Sequence, residues 1–416
     1  MEVDSIPQQT LEESQQIERA DLVVAILAEL DGDGIATVHK ALRTLSGSLR
    51  IAAMSTNSAA TPSRPDPGSP EMGSRLAVVP WPTSGSDVSD SPMKSISARY
   101  QAIFEAGERL EARGCCIIAS NLENGPPNWI GQFLQPLLEA DVDLVTPNYA
   151  RHKLEGLLNS SILCPLTRSL YGKQIQNPMG PDLVVSRKLF QRILRAQTTG
   201  ISGRRIHPLA SLASIALCDN LRVCQVHLGA RIYSPTDWMN ISSLLVEVLG
   251  PVFLDIERNA ACWQRIRESI PLPGFGKPFP ASQQAGAVDV GRLVNSFQLG
   301  TRDLQEIWSL VLPPATLLEL RKLSRLTQEQ FHMPDELWVR IVFDFALAHR
   351  LRTINRDHLL RSMTPLYLGW VASHAWELKT ADASAVEQRL ERLSRAYEAG
   401  KSYLVSRWRW PDRFNP

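Results

Sequence analysis

The chain has 416 residues, enough for two or three domains and a substantial core. Its 44 basic and 43 acidic side chains leave a formal net charge of +1, which argues against a dedicated nucleic-acid binder. With 44% hydrophobic and 21% charged residues it has a globular composition, and no apolar run reaches the roughly 18 residues of a membrane span.

The chain starts "MEVDSIPQQTLEESQQIERAD", acidic and polar, which is unlike a signal peptide. Residues 1–19 are therefore expected to form a mobile tail, and the protein to be cytoplasmic. "ADLVVAILAEL" reads as a buried parallel strand, from its continuous apolar run. "GDGIATVHKALRTL" has helical spacing, with Ile35, Val38, Leu42 and Leu45 on one face. "LRIAAMS" is a second strand. The Pro-, Ser- and Gly-rich "TNSAATPSRPDPGSPEMGS" reads as a loop, and "RLAVVPW" as a third strand. A polar stretch, "PTSGSDVSDSPMKS", precedes the amphipathic helix "ARYQAIFEAGERLEARG". Gly114–Ile118 is the next strand, "NWIGQFLQPLLEAD" the next helix and "VDLVTPNY" a further strand.

This alternation predicts an α/β domain with a parallel-rich, doubly wound sheet over residues 20–270. "PLPGFGKPFP" is a linker, and "LWVRIVFDFALAHRL" and "SAVEQRLERLSRAYEAGKSYL" predict a helical C-terminal region over 271–416. The six cysteines form no C-x-x-C pair and read as buried reduced thiols. In the terminal "SRWRWPDRF", Trp408 and Trp410 are expected to pack on their own region, with an interfacial anchor or a nucleic-acid stacking patch as the alternatives.

Asn148–Ser186 is the most informative stretch. It sets Arg151, His152, Lys153, Arg168 and Lys173 beside a Tyr171-Gly172 turn and a Pro178-Met179-Gly180-Pro181-Asp182 loop. Cations for phosphate or carboxylate and a loop carboxylate for hydroxyls would suit a polar site; a surface helix with a capped turn would use the same residues. The segments "PNYARHKLEG", "PLTRSLYG" and "PMGPD" resemble nucleotide-sugar-dependent glycosyltransferases of the GT-A fold. They are similar in particular to bacterial family-2-like enzymes related to mannosylglycerate and glucosyl-phosphoglycerate synthases. "HLLRSMTPLYLGWVASHAWE" and "YEAGKSYLVSRW" resemble the helical tail of that group. The resemblance implies a GT-A-like sheet domain, a nucleotide-sugar donor and a small hydroxylated or anionic acceptor. It makes Arg151, Lys153, Glu155, Asn159 and Arg168 candidate substrate or nucleotide contacts, and Asp182 the candidate catalytic residue.

The chain departs from the group's pattern at several places. The resemblance implies a metal-holding Asp-x-Asp at the end of the Gly114–Ile118 strand; the residues there are Ala119-Ser120-Asn121. A later histidine ligand is replaced by Tyr233, and nearby His227 reads more simply as a strand histidine. The base-contacting turn is "LAELD", where Glu29 or Asp31 could accept hydrogen bonds from base or ribose. A Gly-Lys-Gly segment is replaced by "SISAR", flanked by Lys94 and Arg99. The acceptor-side acid is replaced by His207, which could act as a base or cap the helix starting at Pro208.

Two functional classes stay open. One is a glycosyltransferase that steadies the leaving diphosphate with cations such as Lys94, Arg99, Arg151 or Lys153. The other is a catalytically degenerate relative that binds a sugar, a nucleotide or a protein partner. No cofactor is expected, with Mg or Mn entering only if a metal site is rebuilt from other residues. Expected partners are a nucleotide-sugar and small acceptor in the first case, and a second copy or an active paralogue in the second; a nucleic acid is not expected.

Overall fold

A computed structural model describes residues 18–27, 32–55, 76–80, 92–120, 122–123, 128–198, 206–231, 236–238, 240–279 and 288–411. The chain divides into two compact units. The first is drawn from residues 1–150, 177–232 and 272–280, the second from 151–176, 233–271 and 281–416.

The first unit is built on a nine-stranded sheet. Its strands are β1 Leu22–Ile26, β2 Ile51–Ser55, β3 Leu76–Pro80, β4 Gly114–Ile118, β5 Leu122–Glu123, β6 Leu144–Ala150, β7 Leu183–Ser186, β8 Val223–Arg231 and β9 Gly274–Phe275. The order is β3-β2-β1-β4-β7-β6-β8-β5, with β9 paired to β8. β3, β2, β1 and β4 run parallel, Leu22 facing Ile51 on one side and Gly114 on the other. β7 enters antiparallel to both β4 and β6, and β6 and β8 are again parallel. The sheet is therefore parallel-rich with an inverted strand beside β4. Every residue of β1 and β4 is buried, as their unbroken apolar sequences require. Leu22, Val24, Ile26, Cys116, Ile118, Phe133, Val145, Val184 and Val226 belong to one apolar core.

The helix before β4 begins six residues earlier than the sequence pattern suggests, at Pro92, and runs to Arg109. Pro92 was read as part of a polar loop. It instead occupies the first helical position, where proline's missing N–H costs nothing and its fixed φ suits the helix. The helix terminates just before Glu111, whose φ of 53° lies in the left-handed region.

The second unit is helical. "ISSLLVEVLGPVFLDI" lies within the helix Ile241–Arg258, with Pro251 inside it. The long patterns form Asp335–Leu351 and Ala383–Arg409. No helix among the described residues is long and apolar enough to cross a membrane. Trp408 is buried edge-to-face against Trp263, with the Arg350 guanidinium 4.6 Å from its ring centroid, while Trp410 is exposed. Cys115, Cys116, Cys164 and Cys224 are free and buried. Cys218 and Cys262 are each disulfide-bonded, a correction to the expectation of six reduced thiols.

Candidate functional site

In the first unit the carboxyl end of β4 meets the loop that leads into β7. Asp182 closes this junction. Its Oδ1 accepts the backbone N–H groups of Ala119 at 2.7 Å and Ser120 at 3.0 Å, and its Oδ2 accepts the Tyr149 hydroxyl. Only 1% of Asp182 is exposed. A carboxylate taken from water needs such donors, because an unpaired buried charge is far costlier than a paired one.

Tyr149 reaches Asp182 from an irregular place in the sheet. The β6–β8 register shifts between Asn148 and Tyr149, so that Asn148 faces His227 and Tyr149 faces Gly229. The residue skipped by this shift is Leu228 of β8. From the helix Pro92–Arg109, Tyr100 donates its hydroxyl to the Pro181 carbonyl. Burial lifts both phenols well above the usual tyrosine value; the charge of Asp182 adds to the rise and Arg231 opposes it. The Cys116 thiol rises for the same two reasons, burial first and Asp182 second. It is held as an unreactive thiol.

The remaining expected residues of the first unit fall as follows. His207 is the N-cap of the helix Pro208–Cys218, its Nδ1 accepting the Ala210 N–H at 3.4 Å. Of its two expected roles, capping is the one visible in the geometry. His227 is half-buried in β8, and burial lowers its pKa, as suits a neutral strand histidine. Arg99 is half-buried on the helix Pro92–Arg109. Lys94 belongs to the same helix, but its side chain lies outside the described residues, as do Glu29, Asp31, Asn121 and Tyr233.

The rest of the motif segment belongs to the second unit, where its side chains are tied into that unit's own framework. Lys153 donates its ammonium to the carbonyls of Lys379 at 3.0 Å and Ala381 at 3.3 Å, just past the helix Thr364–Glu377. Glu155 accepts the His152 N–H at 3.0 Å, and the Asn159 amide donates to the Gln176 carbonyl at 2.5 Å. Arg151 lies over Gly156, close enough that a Cβ there would be 2.9 Å from its Nη1.

Arg168 is spread across three side chains. Its Nε donates to Glu398 at 2.9 Å, and its Nη1 to Glu391 at 2.5 Å and Gln174 at 2.9 Å. Burial works against its charge, but Glu391 and Glu398 outweigh burial and raise its pKa further. Gly172, after the helix Cys164–Tyr171, has φ 72°, and a Cβ there would fall 2.6 Å from the Glu268 carbonyl. That explains why a glycine follows Tyr171.

The described residues at the β4 end offer little to a hard divalent cation. Ala119 offers no donor atom, Ser120 offers a buried neutral hydroxyl, and Asp182 has both oxygens engaged. Among the described residues, no group of three or more His, Cys, Asp or Glu side chains is arranged to hold a metal.

Sequence reasoning brought Asp182 forward but missed Tyr100 and Tyr149, its neighbours in the structure. Tyr149 stood inside the quoted "PNYARHKLEG" and could have been selected on that ground. Nothing beyond helical spacing marks Tyr100.

No protein-family model matches the chain, and no curated protein matches it. Among solved structures it is similar to glucosyl-3-phosphoglycerate synthase from Mycobacterium tuberculosis. In the complex of that enzyme with phosphoglyceric acid, identity is 15%, covering 62% of this chain and 85% of that one, at a TM-score of 0.34. In its complex with Mn2+, UDP-glucose and phosphoglyceric acid, identity is 14%, covering 68% and 94%, again at 0.34. A further structure, of a mycobacterial protein, is 18% identical over 57% of this chain and 78% of that one, at 0.33. The fold class is α/β with a parallel-rich sheet. It joins a parallel β3-β2-β1-β4 half to an inverted β7 beside β4.

Proposed function

We propose that this chain is a glycosyltransferase-fold protein that binds a nucleotide or nucleotide-sugar without metal-dependent sugar transfer. The observation that carries the reading is the engagement of Asp182. Its carboxylate holds the β4 end together through two amides and a phenol, so both of its oxygens already serve the fold. Asp182 is accordingly assigned as an anchor rather than as a base. The consumption of Lys153 and Arg168 in contacts within the second unit supports the same reading. A cation already held by protein carbonyls, as Lys153 is, or by carboxylates, as Arg168 is, has fewer donors left to offer a diphosphate. The place for a ligand is the carboxyl end of β4, where open α/β sheets keep their binding crevice.

The test is calorimetric titration with a panel of nucleoside diphosphates and their sugars, with and without manganese, beside an assay for nucleoside diphosphate release. Expected is metal-independent binding of one nucleotide with no release. Manganese-dependent binding with release would restore the transferase reading. Absence of binding by every member of the panel would remove the ligand assignment and turn the search to protein partners.

A further inference from the structure

The loop Asn177–Asp182 has little means of holding itself. Pro178 and Pro181 have no N–H, so the loop has few amides with which to build a turn. Loops of this kind are ordinarily mobile. Inside it the Gly180 N–H returns to the Asn177 carbonyl at 3.0 Å. Outside groups fasten it at both ends. Asn177 Nδ2 donates to the Pro147 carbonyl at 2.7 Å. At the other end the Tyr100 hydroxyl takes the Pro181 carbonyl and the Tyr149 hydroxyl takes Asp182. The fit at Gly180 is close: a Cβ there would lie 3.0 Å from the Asn177 Cβ and 3.4 Å from Pro147. Tyr100 is 1% exposed and Tyr149 5%, so both phenols make these bonds away from water.

We infer that Tyr100 and Tyr149 are positioning residues that hold the Asn177–Asp182 loop as a fixed wall at the end of β4, with half-buried Met179 and Pro181 as its accessible edge. The two tyrosines reach consecutive residues from different elements, a helix and the strand β6, so neither can substitute for the other. The wall presents apolar side chains and no charge, which suits the flat face of a sugar or a nucleobase better than a phosphate. The assignment of a ligand to this wall rests on the reading of the β4 end given above; the lock itself does not.

The test uses Tyr100→Phe and Tyr149→Phe in the full chain, because each keeps the ring and deletes one hydroxyl. Amide hydrogen exchange is followed at Met179, Gly180 and Asp182, with β1 as the internal reference. The expected result is roughly 10-fold faster exchange in the loop and unchanged exchange in β1. Loop exchange that stays at the wild-type rate, or that rises equally in β1, overturns the lock. The second readout is affinity for the nucleoside diphosphate selected from the panel, expected to weaken about 3- to 10-fold in both variants. A loosened loop with unchanged affinity overturns the wall assignment. A wild-type chain that binds no nucleotide defeats the reading of the site, while the exchange data still decide the lock.

Discussion

Asp182 gives the sharpest test of how the β4 end is built. Asp182→Ala removes an acceptor from the Ala119 and Ser120 amides and from the Tyr149 hydroxyl, all in a place with 1% exposure. Each orphaned donor costs roughly 1–3 kcal/mol. Allowing for partial relaxation and entry of water, the sum is about 4 kcal/mol, a large share of the ~5–15 kcal/mol that holds a typical domain. Asp182→Asn keeps one oxygen for the two amides and presents an amide group to Tyr149. It is expected to cost about 1–2 kcal/mol, the difference between charge-assisted and neutral hydrogen bonds. Because a chain of two units need not unfold in one step, the assay should report on β4 itself. Cys116 is a free, fully buried thiol of that strand, and its reaction with a thiol reagent across a urea series serves the purpose. The expected order of protection is wild type, then Asn, then Ala. An Ala variant within about 1 kcal/mol of wild type, or an Asn variant as exposed as Ala, would refute the account of Asp182 as the anchor of the junction.

Three further predictions concern the second unit. Arg168→Met should lower that unit's stability by about 2 kcal/mol in urea unfolding; the value is kept below that of a fully buried pair because Glu391 and Glu398 remain partly open to water. Arg168→Lys should recover only part, since one ammonium cannot span Glu391, Glu398 and Gln174 together. Gly172→Ala should cost roughly 1–3 kcal/mol in the same assay, from its φ of 72° and the approach to Glu268. His374 should make stability depend on pH. It is 1% exposed, and burial first, then Arg389, lowers its pKa from 6.5 to about 4, against smaller raising effects of the Lys153 carbonyl and Glu377. A depressed folded-state pKa means the unfolded chain binds the proton more tightly. The contribution is therefore present above pH 6.5 and is lost as pH falls toward about 4, by about 3 kcal/mol at the lower end. Asp344 acts in the opposite sense, its pKa raised by burial to about 7, so the two partly cancel in the wild type. Comparing His374→Gln with wild type at both ends of this range isolates the histidine. A stability difference between the two proteins that does not change with pH would refute it.

Much of the sheet was legible because buried parallel strands advertise themselves as unbroken apolar runs, and Gly114–Ile118 was read with its observed limits. What was not legible is direction. β7 is only four residues long, follows a proline-rich loop and looks the same to the eye in either sense, so its inversion beside β4 is a property of the assembled sheet. The helix start at Pro92 was missed for a different reason. A proline beside serine and aspartate reads as loop punctuation unless the helical register of Tyr100, Ile103 and Phe104 is carried back toward the N-terminus.

The site divides in the same manner. Residue type identified Lys153, Arg168 and Asp182 as chemically interesting, because cations beside a carboxylate are what an anionic substrate needs. Type cannot say whom each residue serves. Arg168 pairs with Glu398, 230 positions downstream, and with Glu391 on the same long helix, and no local pattern connects them. Lys153 is likewise spent on carbonyls more than two hundred residues away. A charged side chain that finds strong internal partners pays part of its desolvation cost with them, and a ligand would then have to displace those partners before gaining anything. The motif of a substrate-binding segment can therefore persist in a sequence while its side chains hold the protein together. At Asp182 the same conflict is open to measurement, because the carboxylate that would serve chemistry is the one on which the end of β4 depends.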